Sequence, residues 1–296
     1  MYICFDIGGT NIKTGLFGHD GEMHEKISVK TPSEYGQILD ILVLTAKSFS
    51  GICACAVAVP GTCMPQDGQV IFCPNLTALN GHNLKHDLEN ALDIPVFLEN
   101  DANMAALGEY FFFERNKIKN MIFLTLGTGV GGGAILNGQL LTSDISLFEA
   151  GHININPEGP RCGCGKRGCL ETYANVGGLL RTYENLSSGN VKPDGANKVF
   201  SLYKSGDRVA ELSFDVLGGC LGIGMATLAN ILVPEKIKIG GGLSEMAEAF
   251  LPNAIKIFSK HVYPSYRERV IIELSGLRNN AGLSGCAAIC MLNRNS

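Results

Sequence analysis

The pattern that most constrains this chain is a strand, a glycine-rich turn and a second strand, written twice. Residues 2–5 lead through Asp6-Ile7-Gly8-Gly9-Thr10 into an apolar strand over 12–17. Residues 121–126 lead through the glycines of 127–133 into a strand over 134–136, closed by the hairpin dipeptide Asn137-Gly138. After the first copy, Asp20-Gly21 turns into a third strand near 26–29. A helix over about 33–47 follows, then a buried strand over 52–59 ended by Pro60-Gly61, and a strand over 94–98. That last strand hands over at Asn100-Asp101 to a helix over 102–110. After the second copy come a Ser/Gly/Asn/Pro/Asp loop over 187–197, helical segments over 208–232 and a strand over 236–239 entering Gly240-Gly241-Gly242. A strand over 270–274 and a short helix from about 280 complete the chain. The repetition predicts two similar α/β lobes. With 296 residues, 46% of them hydrophobic, the chain can fill two cores. The expected lobes are 1–116, rejoined by a helix over 281–296, and 117–280.

Charge and cysteine usage narrow the class. A net charge of −4 and a pI near 5.9 argue against a nucleic-acid surface, which needs clustered Lys and Arg to release counterions. The first residues, Met1-Tyr2-Ile3-Cys4-Phe5-Asp6, carry no cationic region and meet an acid early. No apolar run reads as membrane-spanning, so a cytoplasmic protein with reduced cysteines is expected. Of its 11 cysteines, Cys53, Cys55, Cys220 and Cys286 sit among apolar residues and read as small core side chains.

Gly127-Thr-Gly-Val-Gly-Gly132 satisfies G-x-G-x-x-G, but that fingerprint must open into a helix, and here it opens into a strand and a hairpin. The sequence also has no G-x-x-x-x-G-K-[ST] run. What remains is a strand–turn–strand phosphate grip at Asp6, Gly8, Gly9 and Thr10, a second at Gly127, Thr128 and Gly129, and a third glycine turn at Gly240, Gly241 and Gly242. Without a Cβ, glycine lets peptide N–H groups approach phosphate oxygens. Any one of these turns read alone is equally an ordinary hairpin. An acid beside a phosphate grip repels the ligand unless it holds Mg²⁺ or its water shell, which gives Asp6 that role. Lys13 reads either as a phosphate neutraliser or as a solvated strand lysine.

Six motifs in order carry a resemblance: Asp6-x-Gly8-Gly9-Thr10, Glu99-Asn100-Asp101-Ala102-Asn103, Gly127-Thr128-Gly129, Glu149-x-Gly151-His152, Cys162-Gly-Cys164-Gly-x-x-Gly168-Cys169-x-Glu171 and Gly240-Gly241-Gly242. Together they resemble the ROK family of sugar kinases and related repressors, over nearly the whole chain. The resemblance implies an α/β, actin/hexokinase-like (ribonuclease H-like) fold of two duplicated lobes with an interlobe cleft. It implies ATP and Mg²⁺ at the glycine turns, and a sugar contacted by Gly61, Asn100, Asp101, Glu149, His152 and Glu171, with Asn75 reading either as a further sugar contact or as an ordinary loop asparagine. It also implies that Asp101 is the general base, although position alone reads Asp101 equally as a helix N-cap.

His152 with Cys162, Cys164 and Cys169 makes one imidazole and three thiolates, a complete tetrahedral set for structural Zn²⁺. A disulfide would leave an odd thiol and give His152 no task. The knot is expected to hold Glu149 and Glu171 toward a polyol, apart from the nucleotide grips. Two departures from the family pattern stand out: Ser146-Leu147-Phe148 before Glu149, where small residues are usual, and Asn280-Ala281-Gly282, where Asp-Ala-Gly is common. The expected activity is transfer of the ATP γ-phosphate to the 6-hydroxyl of an aldohexose such as glucose. An N-acetylmannosamine or N-acetylglucosamine kinase is the alternative, and a sugar-sensing regulator, which needs a DNA-binding segment before the first strand, is the remote one. The expected partners are sugar and ATP, with neither nucleic acid nor membrane, in a homodimer.

Overall fold

A computed structural model describes residues 1–189 and 192–294. The chain divides into two compact units. The first comprises Met1–Lys117, Gly133–Phe148 and the described residues from Asn280 on; the second comprises Ile118–Gly132 and Glu149–Asn279.

The first unit is built on a five-stranded sheet of β1 (Tyr2–Ile7), β2 (Asn11–Phe17), β3 (Met23–Lys30), β4 (Ala54–Val59) and β7 (Val96–Asn100), in the order β3-β2-β1-β4-β7. The meander β1–β2–β3 is antiparallel, and β4 and β7 add in parallel. Because successive strand residues point to opposite faces, β1 feeds two cores. Ile3, Phe5 and Ile7 pack with Ile38 and Leu42 of α1 (Tyr35–Lys47) and with Leu84 and Leu88 of α2 (Leu84–Leu92). Tyr2 and Cys4 pack with Met104 of α3 (Asp101–Glu109) and with Leu283, Cys286, Ala287 and Cys290 of α9 (Ala281–Leu292). The sequence of β4, ACAVAV, divides the same way: Cys55, Val57 and Val59 face the first core, Ala54, Ala56 and Ala58 the second. With both faces covered, β4 is buried throughout, as a parallel strand in such a sheet must be. A hairpin of β5 (Thr62–Met64) and β6 (Gln69–Phe72) projects after β4.

The second sheet has the order β10-β9-β8-β11-β12, from β8 (Met121–Leu126), β9 (Val130–Leu136), β10 (Gln139–Leu140), β11 (Lys236–Gly240) and β12 (Ile271–Leu274). Strand β9 passes from the second unit to the first after Gly132. Helices α4 (Glu171–Ala174), α5 (Val176–Leu186), α6 (Ala196–Lys204), α7 (Arg208–Leu232) and α8 (Ala247–His261) belong to the second unit. Gly218 and Gly222 of α7 face the α8 backbone at Phe250 and Ala254, which lets the two helices pack closely.

Helix α7 corrects one expectation. By length and composition it is long and apolar enough to cross a membrane, because its charged residues end at Asp215. Most of that stretch is buried against α8, α5 and α4, so it is the core helix of this unit. The sequence reading did not include β5, β6, α2, α4, α5, α6 or α8, and it drew β3 too short. Of the loop expected over 187–197, residues 190 and 191 lie outside the described residues, and α6 already begins at Ala196. Of the helix expected over 281–296, residues 295 and 296 also lie outside, and α9 ends at Leu292.

Candidate active site

In the first unit the β1–β2 turn is closed by the Gly8 amide donating to the Asn11 carbonyl at 2.9 Å. Thr31, which the sequence reading missed, braces it from β3's end. Its hydroxyl donates to the Gly8 carbonyl at 2.6 Å and its amide to the Thr10 carbonyl at 3.0 Å. Asp6 and Lys13 are register partners across β1 and β2, and Lys13 Nζ lies 3.1 Å from Asp6 Oδ2. A Cβ at residue 282 would stand 3.3 Å from the Asp6 carboxylate, which places Asp6 at the N-terminus of α9, the end of a helix that favours an anion. Asn280 heads that helix without a side-chain capping bond; its Oδ1 accepts from Lys26 Nζ at 2.6 Å instead. Asn75, an exposed turn residue, presents its carbonyl to Gly9, where a Cβ would lie 3.3 Å away.

At the β7–α3 junction Asn100, not Asp101, is the N-cap. Asn100 Oδ1 accepts from the amides of Ala102 at 2.9 Å and Asn103 at 3.1 Å, while its Nδ2 donates to the Gly61 carbonyl at 2.9 Å. Asp101 is the first helical residue, and its Oδ1 accepts from the Ala102 amide at 2.8 Å. Gly61 has φ +80°, and a Cβ there would stand 2.2 Å from the Phe72 carbonyl oxygen, so this turn admits only glycine. Beneath the junction lies Glu99, 2% exposed, accepting from the Asn100 amide at 2.7 Å and Asn103 Nδ2 at 3.2 Å. Burial raises its pKa above the usual carboxylate range, and those two donors offset part of the rise. The neighbouring Cys63 thiol is pushed up to about 12 by burial and by the Glu99 carboxylate, with Asp101 adding to it.

In the second unit the turn after β8 is closed by the Gly127 amide donating to the Gly129 carbonyl at 2.9 Å. Glu171, the first residue of α4, reaches it: Oε2 accepts from the Val130 amide at 3.0 Å, and Oε1 lies 3.8 Å from Cys162 Sγ. A Cβ at residue 129 would stand 2.6 Å from that Oε2, so a side chain there would displace the Glu171 carboxylate from the turn. The cysteine-rich loop therefore does not stand apart from the glycine turn, as the sequence suggested, but shares a carboxylate with it. Gly240 pairs with Thr125 across β11 and β8, and Gly241 packs on Leu126, so the third glycine turn lies beside the second. Glu149 heads the 3₁₀ turn Ala150–His152, with Oε2 4.0 Å from His152 Nε2. Phe148, one of the departures from the family pattern, has φ +75°, a conformation bulky residues rarely adopt.

The four sequence-chosen ligands converge. One ligand atom from each of His152, Cys162, Cys164 and Cys169 lies within 4.8 Å of the others, with His152 Nδ1 3.6 Å from Cys162 Sγ and Cys164 Sγ 3.7 Å from Cys169 Sγ. Tetrahedral zinc with Zn–S about 2.3 Å and Zn–N about 2.0 Å requires S···S of about 3.7 Å and S···N of about 3.5 Å, so these two separations fit that donor set. The same 3.7 Å is far beyond a disulfide's S–S length of about 2.05 Å. Burial and the two neighbouring sulfurs push the Cys169 thiol up to about 12, a repulsion among sulfurs that a divalent cation relieves.

The two sheets, each with a glycine turn leaving its central hairpin strand, define an α/β protein of the actin/hexokinase-like class. Within that class the chain belongs to the ROK family, whose model matches residues 2–292. It is 34% identical over 307 residues to the glucokinase of Halalkalibacterium halodurans, covering 96% of this chain and 93% of that one. It is 33% identical over 287 residues to the N-acetyl-D-glucosamine kinase of Salmonella paratyphi A, covering 90% and 92%. The crystal structure of a ROK family glucokinase from Streptomyces griseus, in complex with glucose and AMPPNP, matches with TM-score 0.84 and 31% identity over 97% of this chain and 98% of that one.

Proposed function

We propose that this protein is an ATP-dependent hexose kinase that transfers the γ-phosphate of ATP to the 6-hydroxyl of an aldohexose such as glucose. The observation that carries this reading is the similarity, over 97% of the chain, to a family member whose structure holds glucose and an ATP analogue together. Asp101 is the general base that takes the proton from the attacking hydroxyl; Asn100 bears the capping load, and Glu99 supports the junction from below. Asn100 also ties Gly61 to the base, and with Asn75, Glu149, His152 and Glu171 these residues orient the sugar, the carboxylates accepting from its hydroxyls. The turns at Gly8–Thr10, Gly127–Gly129 and Gly240–Gly242 present peptide donors to the phosphates, with Lys13 beside the first. Asp6 would hold Mg²⁺, directly or through water, and the bound ion would supply charge neutralisation at the phosphates. His152, Cys162, Cys164 and Cys169 would hold a structural Zn²⁺ whose positions are all filled by protein, so it shapes the loop and takes no part in chemistry.

The second reading, an N-acetylhexosamine kinase, is favoured by the similarity to the Salmonella enzyme at nearly the same identity. A coupled ADP-release assay with Mg·ATP against glucose, mannose, N-acetylglucosamine and N-acetylmannosamine tests both. Sugar-dependent ADP formation is expected, fastest with glucose. A higher kcat/KM for an N-acetylated sugar selects the second reading, and no stimulation by any sugar overturns the kinase assignment.

A further inference from the structure

The second glycine turn and Val130, the first residue of β9, are held by one short segment after the cysteine loop, together with Gly151. The Val176 amide donates to the Gly127 carbonyl at 2.9 Å, and Asn175 Nδ2 donates to the Thr128 carbonyl at 2.7 Å. Glu171 fills the space a side chain at 129 would need and accepts from the Val130 amide. A Cβ at Gly151 would stand 2.0 Å from the Val130 carbonyl oxygen, so the next peptide, Val130–Gly131, is closely packed as well.

The direction of these bonds matters. In a trans peptide the C=O and N–H of one unit point in opposite directions. Fixing the Gly127 and Thr128 carbonyls on residues 175 and 176 therefore turns the N–H groups of Thr128 and Gly129 away from α4 and α5. Those are the two donors a phosphate at this turn would use. Of the two carbonyl anchors, Val176 acts through its backbone and survives any substitution except proline, whereas Asn175 acts through its side chain alone. Its other atom is also committed: Asn175 Oδ1 accepts from the Gly178 amide at 2.6 Å and caps α5.

We propose that Asn175 is a positioning residue for ATP: it sets the orientation of the Thr128–Gly129 peptide and so aims its N–H at the nucleotide phosphates. The inference rests on the kinase reading for the identity of the ligand, and it assigns Asn175 no contact with ATP. The two tasks of its amide are separable. Asn175→Ser keeps a good N-cap acceptor for α5 and adds no charge, but lacks the amide donor that reaches Thr128. Asn175→Asp keeps cap and shape but sets a carboxylate against the Thr128 carbonyl.

The test is calorimetric titration of each variant with Mg·AMPPNP and, separately, with the best sugar of the panel, alongside KM for ATP and kcat. Losing one orienting hydrogen bond weakens AMPPNP binding about three- to tenfold in Asn175→Ser, and more in Asn175→Asp. Sugar affinity is expected to stay within twofold and the thermal midpoint near that of the wild type. If both variants bind AMPPNP as the wild type does, the inference is overturned. So is it if sugar affinity falls in parallel, which marks a general loosening of the unit. A wild type that binds AMPPNP but shows no sugar-dependent turnover refutes the kinase reading and leaves the role of Asn175 at the turn open to the same titration.

Discussion

Asp101→Asn is the most discriminating substitution, because the structure divides two tasks that the sequence left on one residue. The helix cap belongs to Asn100, which satisfies the Ala102 and Asn103 amides. Asp101 contributes a charge in the first turn and an acceptor for the Ala102 amide that Asn can supply as well. Removing the charge forfeits its interaction with the helix dipole, worth about 0.3–1 kcal/mol, so the variant should unfold close to wild type. A general base, in contrast, contributes about 10²–10⁴-fold to rate, or roughly 3–5 kcal/mol of barrier. Asn100→Ala is the mirror image. It removes the cap, at about 1–2 kcal/mol, and also the bond to Gly61, at about 0.5–1.5 kcal/mol, so its stability should fall measurably. The coupled assay reads kcat, calorimetry reads sugar and AMPPNP affinity, and urea unfolding reads stability. Asp101→Asn should bind both ligands, unfold normally and turn over at less than about a hundredth of the wild-type rate. A variant that keeps more than about a tenth of the turnover refutes the assignment of the base.

Elemental analysis should find about one zinc per chain, and Cys164→Ser should lower it. Because Glu171 touches both the loop and the glycine turn, Cys164→Ser should weaken AMPPNP binding as well as sugar binding; intact AMPPNP affinity in a zinc-free variant would break that link. Glu99→Gln addresses the buried carboxylate. Its folded pKa is raised by burial, so its contribution to stability is fully present below the unfolded value of about 4.3 and is lost as pH rises through the folded value. Stability curves of wild type and Glu99→Gln should therefore diverge with rising pH, the wild type falling relative to the variant. Curves that run parallel from pH 4 to 8 would show that Glu99 titrates as an ordinary surface acid.

Much of the frame was legible because it rests on local chemistry. The hairpins around Gly8 and Gly127 follow from alternating apolar strands and glycine, and the strand handing over at Asn100 follows from a cap residue before an apolar helix. That His152, Cys162, Cys164 and Cys169 come together was legible because three cysteines and a histidine at short spacing have few other uses. What escaped was long-range. Asn175 lies 47 residues from its partner Thr128, and Thr31 reaches Gly8 from 23 residues away. Asn175 did carry a local sign, an Asn ahead of a helical stretch, but that sign speaks only to its Oδ1 and is silent about Nδ2. Helix α8 was missed because Pro252 interrupts its pattern, and α2 because its 9 residues carry only two buried leucines, Leu84 and Leu88, too short a run to establish a period. Which of Asn100 and Asp101 caps α3 was undecidable by type, since both residues are good caps, and was settled by the backbone.

The packing of α9 has a consequence for how this chain comes into being. The face of the first sheet formed by Tyr2, Cys4, Ala54, Ala56 and Ala58 is covered by Leu283, Cys286, Ala287 and Cys290 of α9, more than 220 positions later than any of those strand residues. During translation at roughly 5–20 residues per second, that face is complete tens of seconds before its cover emerges from the ribosome. The first strands made are among the last to be enclosed, so removing a few residues from the final helix acts on the opposite end of the chain. Pulse-labelled nascent protein should accordingly gain protease resistance at residues 2–17 only once α9 has left the exit tunnel.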